Sequence, residues 1–231
     1  MKKALLALLL CLATLGTLVG CAKEQHDLLY QTEENGVTYC VRGSGTRAKQ
    51  IVVKEGEKVI WSQKVKVTSA VGSRGGNYGF EVLDLNFDGH ADFMIANDHA
   101  GETTSYLCWL WDTEKSTYVQ SKELSGLCNI RVNDELKAIF SFSHSYKTEQ
   151  AYQDVPASSI STDSATKHQW RNGKLTPTIR VSITYYSEND QYCYSVAYYD
   201  EELGNFGDSD DRWMTPEEYK TYDMSFLYYF R

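Results

Sequence analysis

Residues 84–92 read Asp84-Leu85-Asn86-Phe87-Asp88-Gly89-His90-Ala91-Asp92, the pattern D-x-N-x-D-G-x-x-D. Calcium takes about six to eight oxygen ligands, and short acidic or amide side chains at alternate positions can encircle it. Asp84, Asn86 and Asp88 would donate side-chain oxygens and His90 its main-chain carbonyl, while Asp92 would add a carboxylate directly or through water. Gly89 permits the sharp turn that brings the two halves of such a loop together. The expected cofactor is one structural Ca2+. The other reading of these residues is an ion-free Asx turn between strands. Ile95 stands where an EF-hand would place its twelfth-position Glu, and the flanks 80–83 and 93–96 read as strands rather than helices.

No second constellation of this quality occurs. His26, His90, His99, His144 and His168 lack HExxH or paired spacing, so a catalytic zinc is not expected. Gly43-Ser44-Gly45 lacks the third glycine of a dinucleotide fingerprint, and neither it nor Gly72-Ser73-Arg74-Gly75 is a nucleophile elbow. A glycosidase pair is defined by spatial separation, which a sequence of 31 carboxylates does not reveal. Asp208-Ser209-Asp210-Asp211 lacks a glycine turn and reads as an acidic solvated loop. The Tyr- and Trp-rich segments 106–118 and 185–199 read first as cross-strand packing and second as a sugar platform. No catalytic residue is assigned, and the chain is read as a non-enzyme.

The elements that must position this loop follow from composition. The 231 residues are 42% hydrophobic with 3 Pro, enough apolar surface for a packed core. Tyr supplies 17 of the aromatic side chains, which suits half-wet β-surfaces. The net charge of −8 argues against nucleic acid as a partner. Lys2 and Lys3 precede an uncharged run, Ala4 to Gly20, that ends Leu18-Val19-Gly20-Cys21. The run is short for a membrane span and is placed as a signal peptide. Residues 1–20 are therefore the expected signal, 21–27 a tether and 28–231 a single domain. Without residues 1–20 the chain keeps 21 cationic and 31 acidic side chains, a net charge of −10. Cys40, Cys108, Cys128 and Cys193 remain, and in an exported protein an even number allows disulfides in any of three pairings. Buried free thiols are the alternative.

Most of the domain alternates strand and turn. Asn35-Gly36 and Asn172-Gly173 are hairpin signals. Residues 43–48 read as a flexible break, 69–77 as a Gly/Ser-rich loop, and 147–166 as a long polar loop or irregular edge. Thr215-Pro216-Glu217-Glu218 is a capping box that opens a short C-terminal helix over about two turns. The expected fold class is all-β, mainly antiparallel, propeller-like or sandwich, with that one helix.

Two resemblances add to this. Residues 18–21 resemble the lipobox of bacterial lipoproteins, which implies acylation of Cys21 and a membrane anchor facing the periplasm or exterior. The 84–92 loop looks like the calcium loops of FG-GAP and VCBS-type repeats. Together with Tyr106–Trp111, Tyr118, Leu136–Ile139 and Trp170–Leu175, it resembles a family of exported calcium-binding lipoproteins over roughly residues 48–180. That family is structurally related to periplasmic inhibitors of invertebrate-type lysozyme, and some members are immunity proteins. The resemblance implies a non-enzymatic binding or inhibitor module at the cell envelope. Its partner would be a secreted hydrolase, a cell-wall glycan or a host ligand. The competing readings are a cell-wall or glycan hydrolase with a hidden carboxylate pair, and a surface adhesion or assembly component.

Overall fold

The computed structural model describes residues 26–67, 79–101, 103–149 and 158–222. The signal peptide, Cys21 and most of the tether lie outside these residues, as do the 69–77 loop and everything after Tyr222. The described chain is all-β, in three antiparallel sheets whose strands follow sequence order. The first sheet holds β1 (Asp27–Glu34), β2 (Val37–Ser44), β3 (Arg47–Glu55) and β4 (Lys58–Lys64). The second holds β5 (Phe80–Leu83), β6 (Asp92–Ala100), β7 (Thr103–Asp112) and β8 (Thr117–Ser121). A single turn, α1 (Lys122–Ser125), leads to the third sheet. That sheet comprises β9 (Arg131–Asn133), β10 (Ala138–Glu149), β11 (Ser158–Arg171), β12 (Lys174–Tyr186), β13 (Gln191–Asp200) and β14 (Asn205–Met214). The helix α2 (Pro216–Thr221) follows.

Turn chemistry explains the meanders. Asn35 and Gly36 take φ of 51° and 78°, and Asn172 and Gly173 take 52° and 75°. Two successive left-handed residues make the hairpin turn whose twist matches its strands. Residues 43–48 are not a flexible break: β2 runs into β3 through a tight turn at Gly45 and Thr46. At α2, Thr215 Oγ1 accepts from the Glu218 N–H, and the Glu218 carboxylate accepts from the Thr215 N–H at 2.8 Å, so the capping box forms.

The second sheet is the middle layer. One face meets the first sheet across an aromatic cluster in which Phe93 sits within 6 Å of five rings: Tyr39, Trp61, Phe80, Trp109 and Tyr118. The other face packs Leu85, Met94 and Cys108 against Leu124 of α1 and Ile139 and Leu175 of the third sheet. Burial on both faces is why residues 92–96 of β6 are an unbroken buried run instead of alternating.

Away from this junction the third sheet is polar and held by cross-strand pairs. Thr162 and Thr184 share a hydroxyl hydrogen bond of 3.1 Å, and Ser164 and Ser182 one of 3.2 Å. The segment expected as a loop over 147–166 is instead strand up to Glu149 and again from Ser158. Asp208–Asp211 likewise lies in β14, an edge strand, where exposed charge discourages pairing with another chain. Cys40, Cys108, Cys128 and Cys193 are free thiols in this structure, which is the alternative to the possible disulfides. Cys40, Cys108 and Cys193 are buried in three different sheets, and burial pushes the Cys108 thiol up to about 12. Replacing Phe93 by Ala leaves a cavity among five rings and is expected to cost about 3–5 kcal/mol in urea unfolding. A loss below about 1 kcal/mol would mean the two sheets are not held by this cluster.

Candidate functional site

Residues 84–91 join β5 to β6 and are folded by their own side chains. Asp84 accepts from the N–H groups of Asp88 at 3.1 Å and Gly89 at 2.8 Å. Asn86 Oδ1 accepts from the Asp88 N–H at 3.2 Å, and its amide donates to Asp88 Oδ2 at 2.8 Å. Asp88 Oδ1 accepts from the His90 N–H at 2.8 Å. These Asx-type bonds curl the loop so that its acidic side chains share one turn. Phe87 and Gly89 take positive φ of 61° and 87°. The Phe87 conformation is uncommon for a residue with a Cβ, and its ring lies 5.2 Å from the Lys137 ammonium.

Asp92 has another position. It is fully buried, with 0% of its surface exposed. Its Oδ2 accepts from the Leu85 N–H at 2.9 Å and its Oδ1 from the Trp111 N–H at 2.7 Å. One carboxylate thus clamps the loop to β7. Burial pushes its pKa up to about 7; the two N–H bonds pull it back, and the Asp88 and Asp84 carboxylates push it further up. Among the described residues no Lys or Arg nitrogen lies within 4.0 Å of these three carboxylates.

The sequence-expected ligands therefore divide. Asp84, Asn86 and Asp88 are gathered on one turn, with the His90 main chain beside them. Asp92 faces inward as a clamp. Among the described residues no three His, Cys, Asp or Glu side chains converge as a metal-holding group. The chemistry of the donor set still fits a hard cation. It consists of carboxylate, amide and carbonyl oxygens, which keep lone pairs beyond the bonds they accept, and among the described residues no Lys or Arg nitrogen pairs with them within 4.0 Å.

The other candidates separate into structural roles. Trp109 and Tyr118 belong to the core, so the 106–118 segment is no open platform. Tyr192, Tyr194 and Tyr198 share one face of β13, paired to Tyr185, Ile183 and Ile179 of β12. Tyr219 of α2 stacks on Tyr192 at 4.0 Å. His99 pairs with Thr104, His144 with Asp163, and buried His168 with the Ser141 hydroxyl at 2.9 Å. Sequence reading missed the main-chain partners of Asp92. A backbone N–H leaves no compositional trace, and Trp111 is nineteen residues away.

No family model matches the chain, and no curated protein matches it. A solved structure described as a Xanthomonas type IV secretion system related protein is similar in fold. Its TM-score is 0.51 and its sequence identity 13%, over 81% of this chain and 97% of that one. At that identity the likeness is one of fold.

Two buried groups set opposite pH dependences. Burial, and next the nearby Arg180, pushes His168 down to about 4. Between about pH 4 and 6.5 the folded state holds a proton on Asp92 that the unfolded state has lost, and lacks one on His168 that the unfolded state keeps. Rising pH therefore removes stability through Asp92 and restores it through His168. In chelator, and relative to wild type, His168→Gln is expected to make stability fall with pH and Asp92→Asn to make it rise. Each slope reaches at most about 1.4 kcal/mol per pH unit in denaturant titrations. Profiles parallel to wild type would contradict both assignments.

Proposed function

We propose that this chain is an exported, lipid-anchored module whose calcium-stapled β-domain binds a partner at the cell envelope without catalysing a reaction. The observation that carries this reading is the 84–92 loop. Its two exposed-side carboxylates and one amide are curled onto a single turn, without a cationic partner among the described residues, and are clamped to β7 by Asp92. Bound calcium would neutralise that turn. The chain's own residues do the rest: Asp84, Asn86, Asp88 and the His90 carbonyl hold the ion, and Asp92 fixes the loop against the middle sheet.

The lipobox-like Leu18-Val19-Gly20-Cys21 and the resemblance to exported calcium-binding lipoproteins support the envelope placement. His99, His144 and His168 serve three separate pairs, which favours binding over metal-dependent hydrolysis. A second reading, an assembly component, draws on one observation: the solved structure with a similar fold is described as type IV secretion system related.

Calorimetric melting of the full chain, in calcium and in chelator, tests the central reading. Calcium at a hundredfold above its Kd is expected to raise Tm by about 5–10 °C, from about 2.7 kcal/mol of linkage. Asp88→Ala is expected to abolish the rise. Identical curves with and without calcium would contradict it. For the anchor, Cys21→Ser is expected to move the protein from the membrane fraction to the soluble fraction. Retention of that variant in the membrane would refute lipidation at this residue.

A further inference from the structure

The third sheet has two edges that differ in character. The edge strand β14 carries Asp208, Asp210 and Asp211, and its pairing to β13 shifts register between Ala197 and Tyr199. Charge and irregularity of this kind discourage pairing with a further strand. The opposite edge begins with β9, which covers only Ala138–Phe140 of β10. Beyond it the Phe142 N–H donates to the Cys128 carbonyl at 3.1 Å, and the Phe142 carbonyl accepts from Asn129 Nδ2 at 3.3 Å. From there β10 runs on to Glu149, paired to β11 without a register shift. Main-chain groups alternate sides along such a strand. Those of Phe142 point away from β11, toward the segment that leads into β9, so those of His144, Tyr146 and Thr148 point away as well. Among the described residues none of these three has a main-chain partner on that side.

The side chains from Ser143 to Lys147 are exposed, and Tyr146, at the middle of the open stretch 144–148, has 62% of its surface exposed. Between Ser143 and Lys147 the sequence holds one Lys and no acid. An unpaired, regular edge with so little charge is a template for a further strand.

We propose that β10 pairs with β10 of a second copy of this chain, antiparallel about a twofold axis at Tyr146, so that two six-stranded sheets join into one. This surface lies apart from the 84–92 loop and goes beyond the binding-module reading. The axis sets Tyr146 opposite its own copy and His144 opposite Thr148 of the second copy. Each of these pairs exchanges both main-chain bonds, about six hydrogen bonds in all. Because water satisfied the same groups beforehand, the net gain per bond is small and side chains must add to it. At the axis the two Tyr146 rings meet as a cross-strand aromatic pair, and on the other face Ser145 stands opposite Lys147, so no like charges are directly opposed. Neighbouring registers are worse. An axis at Lys147 would oppose the two ammonium groups, and one at Ser145 would set Thr148 of the second copy against Phe142, whose main-chain groups are taken. The edge is also rigid before pairing: β11 holds β10 over eleven positions, and His144 bonds Asp163 across the pair at 2.8 Å. Both copies use the same edge, so the assembly closes at two.

Analytical ultracentrifugation of the full chain over a wide range of concentration is the test. A reversible monomer–dimer equilibrium is expected. Tyr146→Lys, which removes the ring pair and opposes two ammonium groups at the axis, is expected to weaken it about tenfold. Tyr146 is exposed, so this variant is expected to melt like wild type. Cysteine substitution reads the register independently, against the wild-type background. Under mild oxidation Tyr146→Cys is expected to give a disulfide-linked dimer, because directly opposed residues bring their Cα atoms to about 5.5 Å. His144→Cys is expected to give none, since its own copy lies about 14 Å away along the strand. A chain that stays monomeric throughout, a dimer that Tyr146→Lys leaves unchanged, or equal cross-linking at both positions would overturn the proposal. Neither arm depends on calcium, so its outcome is separate from that of the melting experiments.

Discussion

The Asp92 carboxylate is the constraint on which the centre of the molecule depends. It lies fully buried between two main-chain N–H groups, one from the loop that precedes it and one from β7. An isolated carboxylate in such a place would be strongly unfavourable, and two N–H bonds offset part of the desolvation cost. The remainder shows in its raised pKa. What this tension achieves is geometric. The first residues of β6, the 84–92 loop and the end of β7 are tied at one point. The aromatic cluster on one face of the middle sheet and the aliphatic cluster on the other then have a common frame.

The same frame explains why the molecule has a middle layer at all. Strand β6 begins at Asp92 and continues through Phe93, Met94, Ile95 and Ala96, all buried. Phe93 and Ile95 face the first sheet, while Met94 faces α1 and the third sheet. A strand buried on both faces tolerates no polar side chain except one whose hydrogen bonds are met internally, and Asp92 is that exception. The third sheet needs no such device. It meets the middle layer chiefly through Ile139, Trp170 and Leu175, and beyond that contact its serines and threonines bond to one another.

Much of this was legible in the residues. The Asn-Gly turns, the Thr215 capping box and the Asx-bonded turn at 84–90 depend on local chemistry within a few positions, and each lies where its signature stands. The all-β class followed from short alternating runs and from Tyr-rich composition. Features set by distant partners were not legible. Residues 158–166 carry hydroxyls on both faces and show no hydrophobic period, so they read as loop; their strand conformation comes from pairing with β10 and β12. Asp208–Asp211 read as a solvated loop because an exposed edge strand carries the same charge pattern. The inward role of Asp92 was hidden for the same reason, since its partners are backbone atoms at residues 85 and 111.

The most direct measurement is amide hydrogen exchange resolved at Leu85 and Trp111, in wild type and in Asp92→Asn, with and without calcium. If the Asp92 clamp organises the junction, both amides are protected in wild type and lose protection in the variant. Calcium would then slow exchange at Asp88, Gly89 and His90 in wild type. Equal protection of Leu85 and Trp111 in both proteins, with no effect of calcium on the loop amides, would contradict the account.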